Sequence, residues 1–566
     1  MKYRSIVRLL AIASLVIPAL LSSCSGQDHS APASASAPVQ VPGQAALCTD
    51  TVDTSSPVIS DGFSFNLSNT RNGVSQINSS NVTNLQLAYA HAAVGSTMKR
   101  GAPAMTNQAI FLAASDTVTA INRISGCTYW TYQARAEQNP VTGSNYVRSS
   151  AIYYLSPTST EPAVVLFGDS IGYFYAVNAQ TGAKIWSKFV GEELYYHMIT
   201  GSPQLYNGIM YLPISSKEVI LTAISLVRRC CTSHGLLRAI NPYTGDYLWT
   251  YDATAPAKLQ ADGHTMAPNG ESMWGVPTID PARNSIYVGT GQNLTPPVQS
   301  NSDSIIALDL TKGTVKWVFQ GFTGDAWNGS CQLSSPFDFH CVPPIGYDYD
   351  FGAPPALVHL ADGSDAIIAG EKSGMVFSIN PDTGAMNWST RIGQGGNLGG
   401  VHWGIAVDAH NVYASVSDVG VIKVSNIGGP GGMTQTPGAT PGVYALDLMT
   451  GDLVWKFATT HTYQGDTYDS IFSAAPSVTN DLVFAGSLDG MMFALRSSDG
   501  KLMWSYNTAQ SFTDVNGNPG NGGTIDSVGA VPAGTDLIIN SGYDQFGGIN
   551  EFQVGPGNAM YVFRLP

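Results

Sequence analysis

Residues 173–186 read YFYAVNAQTGAKIW, and residues 304–317 read SIIALDLTKGTVKW. Each is an alternating β-rich run, then Asn or Asp, then a turn ending in Gly, then a second run ending in Trp. That order predicts a β-hairpin. The Gly-x-x-x-Trp core recurs as Gly126–Trp130, Gly182–Trp186, Gly245–Trp249, Gly313–Trp317, Gly384–Trp388, Gly451–Trp455 and Gly500–Trp504. A further strand precedes each hairpin, as in SIYVGTG at 285–291 or DLVFAGS at 481–487. Successive Trp residues lie about 50 to 70 positions apart, the length of one four-stranded propeller blade.

Working outward, the chain ends on half a copy, DLIINSG at 536–542 and NAMYVFRLP at 558–566, with no Gly-Trp arm after it. Near the start, NLQLAYAH at 84–91 reads as an orphan strand. Joining the two gives an eighth blade. The predicted fold is therefore an all-β, eight-bladed β-propeller spanning 48–566, its ring closed by N- and C-terminal strands. A seven-bladed ring would leave unpaired edges. The repeat Trp residues are read as wedges between blades.

The first residues read differently. Lys2, Arg4 and Arg8 precede an apolar run at 9–21, too short for a spanning helix, and Leu21-Ser22-Ser23-Cys24 follows. This resembles a bacterial lipoprotein signal peptide over 1–23, with membrane attachment through lipidated Cys24; the plainer alternative is an ordinary signal peptide with a spare Cys. Residues 24–47, rich in Ala, Ser, Pro and Gly, read as a tether. The expected location is periplasmic or outer-membrane-anchored. Ser25 after the lipid Cys leans toward the outer membrane by analogy.

Composition sets limits. Net charge is −14 and charged residues make up 12% of the chain, which argues against nucleic acid as a partner. No Cys-x-x-Cys-His occurs, so no covalent haem c is built in, and no Gly-x-Gly-x-x-Gly opens a helix after a strand. Cys24 aside, six Cys remain, an even number for an exported protein, so disulfides are expected. Cys48 and Cys127 are one candidate pair, and Cys331 and Cys341 flank one loop. Cys230 and Cys231 are neighbours in sequence; either they bond to each other or each pairs elsewhere.

The repeat, taken with Cys230-Cys231, GESMWGVPTIDP at 270–281 and GDAWN at 324–328, resembles the quinoprotein alcohol dehydrogenases, and within them the polyvinyl-alcohol dehydrogenase-like branch. The similarity runs from about residue 48 to the C-terminus. It implies pyrroloquinoline quinone (PQQ) and Ca²⁺ on the propeller axis and oxidation of an alcohol. PQQ is a flat orthoquinone with three carboxylates. The family covers one of its faces with a disulfide between adjacent Cys, here Cys230 and Cys231, and stacks a Trp on the other, here Trp274, which falls outside the blade repeat. Asp325 takes the place of the base that accepts the alcohol proton. Arg148 in NYVRSSA, Thr200 in MITGSP and Lys372 in GEKSGMVFSINPDTG match polar clamps on the quinone. Trp403 in GGVHWGIA borders the site or belongs to the core.

For the metal, Glu218 in SSKEV matches the family's Glu, and Gln292 or Asn293 in YVGTGQN its amide ligand, with Asp325 beside the cation. His234 stands where relatives carry Arg, which puts the local cofactor contacts in question. Electrons are expected to leave for an external acceptor such as a cytochrome c. The substrate class is an alcohol, secondary or polymeric. The rival reading is a non-catalytic propeller lipoprotein that serves outer-membrane assembly as a docking scaffold; it needs no axial Asp, adjacent Cys pair or Arg clamp. A third is a relative that binds the cofactor without turning over.

Overall fold

The computed structural model describes residues 39–40, 47–95, 97, 100–134, 146–157, 160–224, 229–333, 338–422, 432–543 and 554–566. The signal segment 1–23, Cys24 and nearly all of the tether lie outside them. Among the described residues no helix is long and apolar enough to cross a membrane.

Eight antiparallel sheets follow one another along the chain. Blade one is five-stranded: Val58–Asp61, Ala104–Thr106, Ala109–Ala114, Thr117–Asn122 and Thr128–Gln133. Blade two shows the plain four-stranded form, Ile152–Tyr154, Val164–Gly168, Tyr173–Asn178 and Lys184–Phe189. Blades three to seven repeat it, blade three with an added short strand His197–Met198, their innermost strands being Gln204–Tyr206, Thr278–Asp280, Ala356–His359, Ile405–Val407 and Ser477–Thr479. In blade eight the N-terminal strand Gln86–Ala92 pairs antiparallel with the C-terminal strand Ala559–Arg564.

The structure explains why Gly and Trp recur together. In the hairpin of blade two, Asn178 Oδ1 accepts the amides of Gln180 and Thr181, and Gly182 completes the turn at φ +71°. A Cβ on Gly182 would lie 2.8 Å from the indole of Trp130, the Trp of the preceding blade. Trp130 Nε1 in turn donates to Ala179 O in the same turn, at 3.0 Å. Trp186 repeats this against Pro242 O, Trp317 against Pro381 O, Trp388 against Leu448 O and Trp455 against Ser497 O. Each of these Trp residues is thus docked on the next blade's turn, and the turn residue must be Gly both for its backbone and for the ring lying on it.

Blade eight carries no such Trp. Tyr89 takes the position: its ring lies over Gly126 of blade one, and its hydroxyl donates to Arg123 O at 3.1 Å. Apolar side chains of adjacent sheets fill the space between them, as Phe111, Tyr153, Phe167 and Tyr175 do for blades one and two. Met105, Ile110, Ile538 and Val562 do the same for blades one and eight.

Strands alternate in direction, so the Gly turns all emerge at one end of the molecule. The loops between second and third strands, and those from one blade to the next, emerge at the other. Every candidate site residue lies in the second set of loops.

Candidate functional site: a cleft floored by Trp274

At that end lies a cleft whose lining includes Trp274, Thr200, Trp403, Arg100, Phe63 and Gly352. Trp274 is seated tightly: a Cβ on Gly352 would overlap its indole, and the ring meets Trp403 edge-on at 5.4 Å and His402 at 5.9 Å. A glycine is needed at 352 because the backbone must pass directly against a large flat ring.

Cations surround this floor. Lys372 Nζ sits 5.9 Å from the centre of the Trp274 ring. It is fully buried, pairing with Asp350 and, at 3.3 Å, with Asp348. These acids hold the ammonium charged against the cost of burial. Arg100 lies 4.6 Å over the Trp403 ring and donates to the Tyr543 hydroxyl. Arg148 is buried, donates to the Tyr146 hydroxyl at 2.8 Å, and lies close enough to Arg100 that the two repel. Arg148 Nε and Thr200 Oγ1 are buried without hydrogen-bond partners. Orphaned buried donors of this kind are expected where an acceptor ligand belongs.

Asp325 is buried next to the lysine's acids. Its carboxylate accepts the amides of Tyr347 at 2.8 Å, Asp348 at 3.3 Å and Tyr349 at 2.7 Å. Burial, with Asp350 adding to it, pushes its pKa up to about 6, against the lowering by those three amides. Gln292 donates to Asp348 at 2.6 Å and to Trp327 O at 3.3 Å, using only its NH₂. Asn293 is tied to Asp325 by its backbone, but its side chain is spent on the fold. Its NH₂ donates to Asn269 O and Glu271, and its oxygen accepts from Gln299.

Cys230 and Cys231 are bonded to each other, and Cys48–Cys127 and Cys331–Cys341 form the other disulfides. The adjacent pair is buried with Leu294 and Val219 and does not contribute to the cleft lining given above. It is held from two sides. Asn269 links Cys231 O, at 3.2 Å, to Leu294 N and to Asn293. Glu218 Oε2 accepts three donors, from Thr232 N, Ser233 N and Ser233 Oγ, each at 2.7 Å. Glu218 begins the helix Glu218–Ile224, which packs on the Gly329–Gln332 turn just after Asp325.

The structure therefore brings Trp274, Thr200 and Trp403 to one cleft, buries Lys372 beside the Trp274 ring with Asp325 and Gln292 near its acids, and sets Cys230, Cys231 and Glu218 in a separate segment outside the cleft lining.

Sequence reasoning missed several residues here. Arg100 carries no local motif. His402, between Trp274 and Trp403, is kept neutral by burial and by the nearby Lys372 and Arg100, and bonds Ser473 Oγ at 2.8 Å. Glu371 and Asp303 are buried acids beside Asp325 and Asp350, both raised by burial, Glu371 to about 8. Only YDYD at 347–350, two Asp shortly after GDAWN, offers a signal in the sequence.

Comparison with known proteins identifies the family. The family model for the glucose/ethanol/alcohol dehydrogenase β-propeller domain, named for PQQ, matches residues 68–333, and that for the outer membrane protein assembly factor BamB matches 423–521. The chain is 32% identical over 508 residues to a polyvinylalcohol dehydrogenase of a Pseudomonas species, covering 87% of this chain and 74% of that one. It is 31% identical over 501 residues to a polyvinylalcohol dehydrogenase of a Sphingopyxis species, covering 86% and 73%. The chain belongs to the PQQ-dependent alcohol dehydrogenases, in the polyvinyl alcohol dehydrogenase-like branch. The fold of this quinoprotein is that of a europium-containing methanol dehydrogenase, with TM-score 0.64 and 16% identity over 89% of this chain and 98% of that one. The scaffold reading gives way to an oxidoreductase.

Proposed function

We propose that this quinoprotein oxidises secondary alcohols, including those carried on a hydroxylated polymer, with PQQ and Ca²⁺, and passes the electrons to an external carrier. The observation that carries the reading is Lys372 poised over the Trp274 ring with Asp325 buried beside the lysine's acids. The name shared by two relatives at 31–32% identity supports the polymeric substrate.

The residues suit the cofactor. A planar tricarboxylate needs a flat apolar surface, which Trp274 supplies, and donors for its carboxylates, which Arg100, Arg148 and Thr200 supply. Bound PQQ, polarised by the cation, supplies the two-electron acceptor for the hydride of the carbinol carbon. Asp325, a buried carboxylate beside the proposed cation, takes the hydroxyl proton. Lys372 stabilises negative charge arising near its ammonium. For the cation, Glu218, Gln292 and Asp325 offer oxygen ligands, with Gln292 favoured over Asn293 because its carbonyl oxygen is not used in the fold.

Export, attachment through Cys24 and electron transfer to a cytochrome c complete the reading. The test is dye reduction by purified protein loaded with PQQ and CaCl₂, given primary alcohols, secondary alcohols and polyvinyl alcohol in turn. Turnover with the secondary and polymeric alcohols is expected. Turnover confined to small primary alcohols would overturn the substrate assignment, and binding without any turnover would identify a relative that has lost catalysis.

A further inference from the structure

His234 turns away from the role its position suggests. It lies three residues after Cys231, and its backbone bridges Gly270. Its imidazole is 5% exposed, and neither ring nitrogen has a hydrogen-bond partner. Nε2 points at two half-exposed carboxylates, Asp252 Oδ1 at 3.5 Å and Glu192 Oε2 at 3.8 Å. The three ligand atoms lie within 4.8 Å of one another.

Three elements converge here. Glu192 follows the last strand of blade two, Asp252 ends the last strand of blade three opposite Leu236, and His234 enters that strand's neighbour. Glu193 is turned aside to accept from Thr232 Oγ1, and the nearby cation Arg238 stacks on Tyr247.

We propose that His234, Glu192 and Asp252 bind a first-row divalent cation of the Zn²⁺ type, separate from the Ca²⁺ of the quinone site. Zn²⁺ binds imidazole nitrogen and carboxylate oxygen at about 2.0–2.2 Å, so neighbouring ligand atoms of a tetrahedral site stand about 3.3–3.6 Å apart. Nε2 already stands 3.5 Å from Asp252 Oδ1 and 3.8 Å from Glu192 Oε2, and both carboxylates are half-exposed. One imidazole with two carboxylates suits a borderline cation better than Ca²⁺, which takes oxygen alone. The buried imidazole fixes one ligand in advance, and the exposed side leaves a position for water. The cation would tie blade two, blade three and the Cys230–Cys231 segment together.

The test uses the full chain, stripped with chelator, saturated with CaCl₂ and titrated with ZnCl₂ by calorimetry, or with CoCl₂ while its visible d–d absorption is followed. One saturable site per chain is expected, lost in His234→Gln, weakened at least tenfold in Asp252→Asn and in Glu192→Gln, and retained in Asp325→Asn. If His234→Gln fails to fold, the two half-exposed carboxylate variants carry the test alone. Failure of the stripped, Ca²⁺-loaded protein to bind Zn²⁺ or Co²⁺ would overturn the proposal, as would equal binding by wild type, Asp252→Asn and Glu192→Gln.

Discussion

Two buried groups at the residue scale carry distinct and separable costs. Lys372 is the cation paired with Asp348 and Asp350 in a buried cluster that also holds Asp325, Glu371 and Asp303. Lys372→Met leaves those acids without a cation and should cost about 3–5 kcal/mol, whereas Lys372→Arg should lose much less; urea unfolding of the two variants distinguishes them. Gln292 and Asn293 are neighbours with opposite duties. Gln292→Ala should raise the Ca²⁺ concentration needed for activity about tenfold and, by taking the donor from Asp348 and Trp327 O, should also lower the melting temperature. Asn293→Ala removes contacts to Asn269, Glu271 and Gln299 and should lower the melting temperature with the Ca²⁺ requirement unchanged. A Ca²⁺ titration of activity beside thermal melts checks both. Asp325, Trp274 and Lys372 were proposed from stretches that resemble family motifs, and the structure sets Lys372 5.9 Å from the Trp274 ring and Asp325 beside Asp350. Arg100, His402, Asp303 and Glu371 were not, because their neighbours come from other blades and nothing in their own stretch marks them.

At the scale of the element, the hairpin of one blade is completed by the indole of the one before it. Gly384 has φ +74°, and a Cβ there would stand 2.7 Å from the Trp317 ring. Gly384→Ala should therefore destabilise by about 1–3 kcal/mol through backbone strain and overlap. Trp317→Ala should cost about 3 kcal/mol or more. In the double variant the overlap is gone, so the two losses should sum to more than the combined loss. Chemical denaturation of the four proteins measures the coupling; strict additivity would show that the ring and the turn do not act on each other. This contact is also why the fold could be read so fully from residues 173–186 and their copies. The same interaction demands two rare residue types at fixed spacing, so each blade carries its own signature. The eighth lacks that signature because Tyr89 replaces the Trp; it was read instead from NLQLAYAH and the C-terminal half copy, whose strands Gln86–Ala92 and Ala559–Arg564 pair although far apart in sequence.

Across the whole molecule, stability depends on the seam where the two ends of the chain meet. Asp536 is fully buried there and holds both Arg123 of blade one and Arg564 of the last strand. His91, on the N-terminal strand, is buried, and burial lowers its pKa from 6.5 to about 4, with Asp514 opposing the shift. The unfolded chain takes up a proton at His91 that the folded chain refuses. The associated stability is full above pH 6.5 and falls as pH drops toward 4, by up to about 3 kcal/mol. His91→Gln should flatten that part of the stability–pH curve, as equilibrium unfolding between pH 4 and 7 would record; an unchanged slope would assign the loss to other groups.

At this scale the molecule divides its labour by end: Gly turns that lock blades together on one side, chemistry on the other. The central claim is that the chemical end holds PQQ against Trp274. Equilibrium binding of PQQ to the Ca²⁺-loaded protein, followed by quenching of its intrinsic fluorescence, measures this directly. The account predicts saturable one-to-one binding by the wild type and at least tenfold weaker binding by Trp274→Ala, whose affinity is read from displacement or dialysis; wild-type affinity in that variant, or no saturable binding at all, would contradict it.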